Sequence, residues 1–224
     1  MADYVVEFGR DGGSRQADGR LDAPAFHRNH QAIQAVLERH LTGKPGDAVE
    51  IGSGTGQHVV EFARQFSEIS WWPSDLNDNH LASIEAWRQH VQLSNIRPAR
   101  RRDVSDPAWG DVMEAEGGPH ELLAVFCANV IHIAPWPVAE GLIAGAGRAL
   151  RQGGMLFLYG PFKRAGKHTA DSNAAFDAGL RQGNPEWGVR DVEAVEKLAE
   201  RAGLSLIEIA QMPANNLTLV FGKN

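Results

Sequence analysis

Short apolar runs alternate with helical periods along most of the chain, and that alternation restricts the fold more than any other feature. Residues 47–51, 69–75, 96–100, 122–127 and 153–159 read as strands, the third of them weak. Between them, residues 24–41, 57–66, 77–92 and 135–150 carry helical spacing, with Phe26, Ile33, Val36, Leu37 and Leu41 near one face of the first. Strands separated by helices predict right-handed crossovers and a parallel sheet covered on both faces, an α/β doubly wound architecture. Residues 122–127 are apolar on both faces, as a buried strand requires, while Pro98 places the third strand at an edge. The tail breaks the pattern. Residues 204–210 and 217–221 are joined by a segment too short for a crossover helix, so they pair antiparallel.

No internal repeat or shift in composition marks a second domain, so residues 25–224 read as one domain and residues 1–24 as an N-terminal arm or lid. Residues 9–24, rich in glycine and aspartate, offer little to bury, and their composition favours disorder over a closing loop. Residues 160–190 form a long polar insertion, the kind usually functional or mobile. Lysine and arginine total 22 against 28 acidic residues, a net charge of −6, which argues against binding nucleic acid by bulk electrostatics. No apolar run approaches the roughly 20 residues that span a bilayer, and no basic–apolar leader begins the chain, so a soluble cytoplasmic protein is expected. The single cysteine, Cys127, lies inside a strand and reads as core, and the scattered histidines suggest no metal site.

The first strand runs into Glu50-Ile51-Gly52-Ser53-Gly54-Thr55-Gly56. Glycines at every second position let backbone pass close beneath a ligand. A dinucleotide-binding turn wants a glycine at position 57, which is Gln57 here, and an acid at position 50 would repel a diphosphate. The same acid suits a ligand with an amino group and a sulfonium, S-adenosyl-L-methionine. Asp75 ends the second strand, where a carboxylate can accept from ribose hydroxyls, and Asp103 follows the third, where an acid can accept from an adenine amino group. Asp75 can equally cap the next helix, and Asp103 can equally be a turn residue. The ends of successive strands are where open parallel sheets bind ligands.

These residues, with the terminal antiparallel pair, resemble the class I S-adenosylmethionine-dependent methyltransferases. Arg28-Asn29, the run from Ser53 to His58, Trp72 to Asp75, Asn129 to Ile133, Tyr159 to Lys163, Asp171 to Asn173, Pro185 to Gly188 and Met212 to Asn216 resemble, over nearly the whole chain, an uncharacterised methyltransferase-like family of bacteria and animals. The resemblance implies a seven-stranded, mostly parallel sheet of order 3-2-1-4-5-7-6 with an antiparallel last strand. It also implies S-adenosyl-L-methionine as cofactor, and it supplies no acceptor. The family often carries alanine where this chain has Gly52.

The expected cofactor-binding residues are Arg28, Asn29, Glu50, Gly52, Ser53, Gly54, Gly56, His58, Asp75, Asp103 and Asn129. His132 has the chemistry of a base near neutral pH, or it packs under the next helix. Tyr159 and Lys163 follow the fifth strand, where Lys163 can hold an acidic group; these two and His132 are the catalytic candidates. Asn173 and Asn215 offer amide contacts to substrate, or serve as an N-cap and a turn residue. The expected activity is methyl transfer to a small molecule. A non-catalytic binding module and, further off, a nicotinamide-dependent oxidoreductase are the alternatives. The acceptor atom and any homo-oligomer stay open.

Overall fold

The computed structural model describes residues 13–115 and 117–224. Its elements, in order, begin with the small strands β1 (Ser14–Arg15) and β2 (Leu21–Asp22), then α1 (Pro24–Leu41), β3 (Gly46–Ile51), α2 (Gln57–Gln65) and β4 (Ile69–Asp75). The chain continues through α3 (Asp78–Val91), β5 (Arg100–Arg101), α4 (Trp109–Ala115), β6 (Leu122–Ala128), α5 (Trp136–Ala149) and β7 (Leu150–Gly160). It ends with β8 (Phe162–Arg164), β9 (Lys167–His168), α6 (Asp171–Gly183), β10 (Arg190–Asp191), α7 (Val192–Arg201), β11 (Leu204–Gln211) and β12 (Leu217–Lys223).

The main sheet has seven strands in the order β11-β12-β7-β6-β3-β4-β5. Counted along the sheet's own strands this is 3-2-1-4-5-7-6 read from the β5 edge, as the resemblance implies. β12 runs antiparallel to both neighbours, and the other pairings are parallel. β6 lies at the middle, which explains its unbroken apolar run: both faces are buried. One face packs on α4, α5 and α7 through residues such as Trp109, Leu142 and Val195. The other packs on α1, α2 and α3 through Ile33, Phe62 and Trp87. α4 is the helix that lacks a clear period in the sequence. It seats because Gly145 on α5 leaves room: a β-carbon there would stand 2.1 Å from the Trp109 indole nitrogen.

The third strand is an edge strand, as Pro98 requires, but it shrinks to Arg100–Arg101, preceded by an isolated bridge from Trp71 to Ile96. One expectation is corrected. The disorder expected of residues 9–24 does not hold for the described part, residues 13–24; residues 9–12 lie outside the described residues. β1 and β2 form a hairpin whose Leu21 is fully buried. The Leu21 N–H donates to Ser83 Oγ at 2.9 Å, its carbonyl accepts from the Trp87 indole at 3.0 Å, and Asp22 accepts from Gln57 at 2.7 Å. The insertion, read as functional or mobile, is built of ordered elements. β10, β8 and β9 form a second sheet, and α6 follows β9. At its centre Asp177 accepts from Lys163 Nζ (2.8 Å), His168 Nε2 (2.9 Å), Arg181 Nε (3.1 Å) and the Val189 N–H (2.8 Å). Those donors hold its carboxyl well below the ordinary range despite the opposing effect of burial.

Candidate functional site

A cleft of about 840 Å³ opens where β3, β4, β6 and β7 end. That is the crevice at which a doubly wound sheet takes ligands, and its size suits a cofactor-sized molecule. The floor is the turn from β3 into α2. Gly52 has φ +67°, and a β-carbon there would lie 2.4 Å from Val130 Cγ2. Only glycine fits this backbone as it stands. The turn is pinned to β4: the Ser53 N–H donates to the Ser74 carbonyl at 2.8 Å, and the Gly54 N–H donates to Asp75 Oδ2 at 2.9 Å.

Asp75 also accepts from the Asn77 N–H at 2.9 Å and faces His80 Nδ1 at 3.2 Å. Burial works to raise its pKa. The His80 contact and the two backbone donors outweigh it, and the carboxyl is held below the ordinary range. A carboxylate offers about four lone-pair sites, so these contacts leave room for a ligand hydroxyl. The helix cap that the sequence allowed for Asp75 is made by Asn77 instead, whose side chain accepts from the Asn79 N–H.

The second wall comes from α1 and α2. His58 Nε2 donates to Asn29 Oδ1 at 2.9 Å, and the Phe26 ring lies edge-on to His58 and stacked on His30. Burial, with the charge of His30, pushes His58 down to about 4, so its ring is neutral near pH 7. Tyr159, at the end of β7, accepts from Asn216 Nδ2 at 2.9 Å. α6 adds Ser172, Asn173 and Phe176, and the loop before β12 adds residues 213–216. Asn173 Nδ2 donates to Thr169 Oγ1 and to the Asn215 carbonyl; Asn215 Nδ2 donates to Ser172 Oγ.

Of the residues named from the sequence, Arg28, Asn29, Gly52, Ser53, Gly54, His58, Asp75, Asn129, Tyr159, Asn173 and Asn215 line this cleft. The others do not. Gly56 turns toward α3, where a β-carbon would meet Ile84. Asp103 is exposed and turns inward on its own loop, accepting from the Ser105 N–H and hydroxyl, which is the turn role; Arg102 and Val104 line the cleft in its place. His132 is fully buried behind the wall, its ring edge-on to Phe162 and its Nδ1 accepting from the Arg190 N–H at 3.4 Å. Burial, aided by the Arg190 charge, pushes it down to about 3, so it is neither placed nor poised to act as a base. Lys163 is spent on Asp177. Glu50 is 2% exposed beneath the glycine turn. Burial pushes its pKa up to about 8, against a contact from Ser53 and with help from the Asp75 charge, and Oε2 has no hydrogen-bond partner. It does not line the cleft.

The sequence reading missed the cleft roles of Phe26, His80, Arg102, Phe176 and Asn216. Phe26 and Asn216 were in view, one as an apolar position of α1 and the other beside Asn215, but nothing in their spacing tells a wall from a core. Among the described residues no cluster could hold a metal ion, and no helix is long and apolar enough to cross a membrane.

Known structures share this architecture. An O-methyltransferase family protein from Burkholderia thailandensis superposes with a TM-score of 0.70 at 12% identity, over 87% of this chain and 57% of its own. An O-methyltransferase family 2 protein from Planctomyces limnophilus, solved with apigenin, gives 0.70 at 14%, over 88% and 56%. Magnesium protoporphyrin IX methyltransferase from Synechocystis, solved with S-adenosylhomocysteine, gives 0.65 at 14%, over 87% and 83%. The chain thus spans little more than half the length of the first two. The fold is that of the class I S-adenosylmethionine-dependent methyltransferases. The sequence profile of a family described as a protein of unknown function (DUF938) matches residues 20–223, nearly all of the chain, which therefore belongs to that family.

Proposed function

We propose that the protein is an S-adenosyl-L-methionine-dependent methyltransferase acting on a small-molecule acceptor. One observation carries the reading: the Gly52 and Gly54 turn and the low-pKa Asp75 carboxylate meet at one cleft of cofactor size. The donor set suits this cofactor. Asp75 would receive a ribose hydroxyl, the turn would run beneath the methionine half, and Arg102, Val104 and Asn129 would border the rest. Position 57, where a dinucleotide-binding turn wants glycine, is Gln57, buried and bonded to Thr55 and Asp22. That is the argument against a nicotinamide dinucleotide.

S-adenosyl-L-methionine, when bound, supplies an electrophilic methyl group on a sulfonium. The chain's task is then to align the acceptor and keep water away. Phe26 and Phe176 give the far end an apolar lining, and the structured insertion closes one side. Of the lining side chains, His58 is pushed to about 4, burial raises Tyr159, and His80 is turned to Asp75. Positioning, not proton removal, is what these residues contribute. The same observation favours a second reading, a binding module without turnover.

Calorimetric titration with S-adenosylhomocysteine, with NAD as control, tests the reading. Binding of the first and not of the second is expected. Asp75→Ala should weaken S-adenosylhomocysteine by roughly 10- to 100-fold through the lost charged hydrogen bonds. Unchanged affinity would refute the ribose contact. Methylated product from a panel of small acceptors separates the enzyme from the binding module.

A further inference from the structure

Two asparagines at the insertion end of the cleft have both amide hydrogens spent. Asn173, 4% exposed on α6, donates through Nδ2 to Thr169 Oγ1 at 3.0 Å and to the Asn215 carbonyl at 2.9 Å. Asn216, just before β12, donates through Nδ2 to the Tyr159 hydroxyl oxygen at 2.9 Å and to the Pro213 carbonyl at 3.3 Å. A backbone carbonyl can only accept, so each amide is held one way round. What is left over in both is Oδ1. Neither oxygen has a hydrogen-bond partner among the described residues, and neither is sealed from solvent as Glu50 Oε2 is. Both residues line the cleft, so the two oxygens are open to a molecule within it.

Their setting points to a ligand. Asn216 follows Ala214 and Asn215, whose φ of +57° and +59° lie in the left-handed region that few side chains adopt. Such backbone persists only where its surroundings enforce it. Here α6 does so: the Asn173 amide donates to the Asn215 carbonyl, and Ser172 Oγ accepts from Asn215 Nδ2. The helix and the loop thus form one unit that presents two hydrogen-bond acceptors to the cleft. The lining residues that β7, the insertion and this loop supply carry no formal charge. Phe176, 44% exposed and one helical turn from Asn173, adds an apolar face. Placed carbonyl oxygens beside an open aromatic ring match an apolar body that carries N–H or O–H groups.

We propose that this end of the cleft seats the molecule to be methylated, and that Asn173 Oδ1 and Asn216 Oδ1 accept hydrogen bonds from it. The substrate is then a small molecule with an apolar body and N–H or O–H donors. An ether or a carboxylate brings no hydrogen to these oxygens, and a carboxylate also meets their negative ends. This rests on the methyltransferase reading of the cleft, and it names the substrate class. The cofactor's own ammonium, hydroxyl and amino groups are the other source of such donors, and the experiment separates the two.

Phenol, anisole and benzoate are titrated by ligand-observed NMR into the protein saturated with S-adenosylhomocysteine, and into the protein alone. Wild type should hold phenol about fivefold more tightly than anisole, the worth of one hydrogen bond, and benzoate no better than anisole. Asn216→Ala and Asn173→Ala should each bring phenol down toward anisole while S-adenosylhomocysteine affinity stays within about twofold. Asn216 lies on the loop before β12, so its variant keeps the test sound if the buried Asn173→Ala folds poorly. Equal binding of phenol and anisole by wild type overturns the proposal, as does a preference that survives in both variants. A preference seen only without S-adenosylhomocysteine, or a loss of S-adenosylhomocysteine affinity in Asn216→Ala, also overturns it, because the oxygens then serve the cofactor. Failure of S-adenosylhomocysteine to bind wild type overturns the cofactor reading instead, and the titration of the protein alone still decides the donor preference.

Discussion

Replacing Glu50 by glutamine should stabilise the ligand-free protein, by an amount that grows with pH. The carboxyl is 2% exposed, and burial with the nearby Asp75 charge raises it from 4.5 to about 8. Below pH 4.5 the folded and unfolded chains both hold the proton, and there is no difference to see. Between 4.5 and 8 the unfolded chain releases a proton that the folded chain keeps, so stability falls as pH rises. Above 8 both have lost it and the effect levels off. Each unit of that interval corresponds to about 1.4 kcal/mol, so the acid costs about 3 kcal/mol at pH 7 and nearer 5 kcal/mol above pH 8. Glutamine keeps the shape without the ionisation. Urea denaturation followed by circular dichroism at pH 5, 7 and 8.5 reads the difference between the two proteins, in which all other titrations cancel. The margin in favour of Glu50→Gln should rise from under about 1 kcal/mol to about 3 kcal/mol between the first two. A margin that is flat with pH, or of opposite sign, would refute the reasoning.

Asp177→Asn should destabilise the protein by about 3 kcal/mol, about 9 °C in melting temperature, because a buried carboxylate that gathers four donors loses its charge. The wild-type carboxyl is depressed, so its contribution is present above the ordinary carboxylate range and lost as pH falls below it; proteolysis of residues 162–191 should accelerate there. Gly145→Ala forces a methyl against the Trp109 indole and should cost about 1–3 kcal/mol with a change in near-ultraviolet circular dichroism. An unaltered spectrum and melting point would mean α4 does not dock as described. Leu21→Ala empties a fully buried site and should cost about 3 kcal/mol while exposing residues 13–22 to protease.

The sheet was readable because its strands and helices carry different hydrophobic periods, and the glycine turn because positive φ and close approach demand one residue type. What escaped depends on partners distant in sequence. The hairpin holds through Leu21, whose hydrogen-bonding partners are 62 and 66 residues away, so composition alone suggested disorder. The insertion is ordered by one acid, Asp177, gathering donors from three short elements and a turn. His132 and Lys163 looked catalytic because histidine and lysine at strand ends have the right chemistry. Whether such a side chain turns to the cleft or behind it is a matter of rotamer and packing, which spacing does not encode. Asp103 was misread for the same reason, its neighbour Arg102 taking the inward position.

Ser83 joins two parts of the molecule that the sequence keeps far apart. Its fully buried hydroxyl accepts from the Leu21 N–H at 2.9 Å and donates to the Thr55 carbonyl at 2.7 Å. The N-terminal hairpin and the glycine turn are thus moored to one oxygen. A hairpin that swings away takes an anchor from the turn, and a turn that shifts disturbs the hairpin. Deuterium uptake at the single amide of Leu21 is therefore a clock for both, and a ligand seated on the turn should slow it from some distance away.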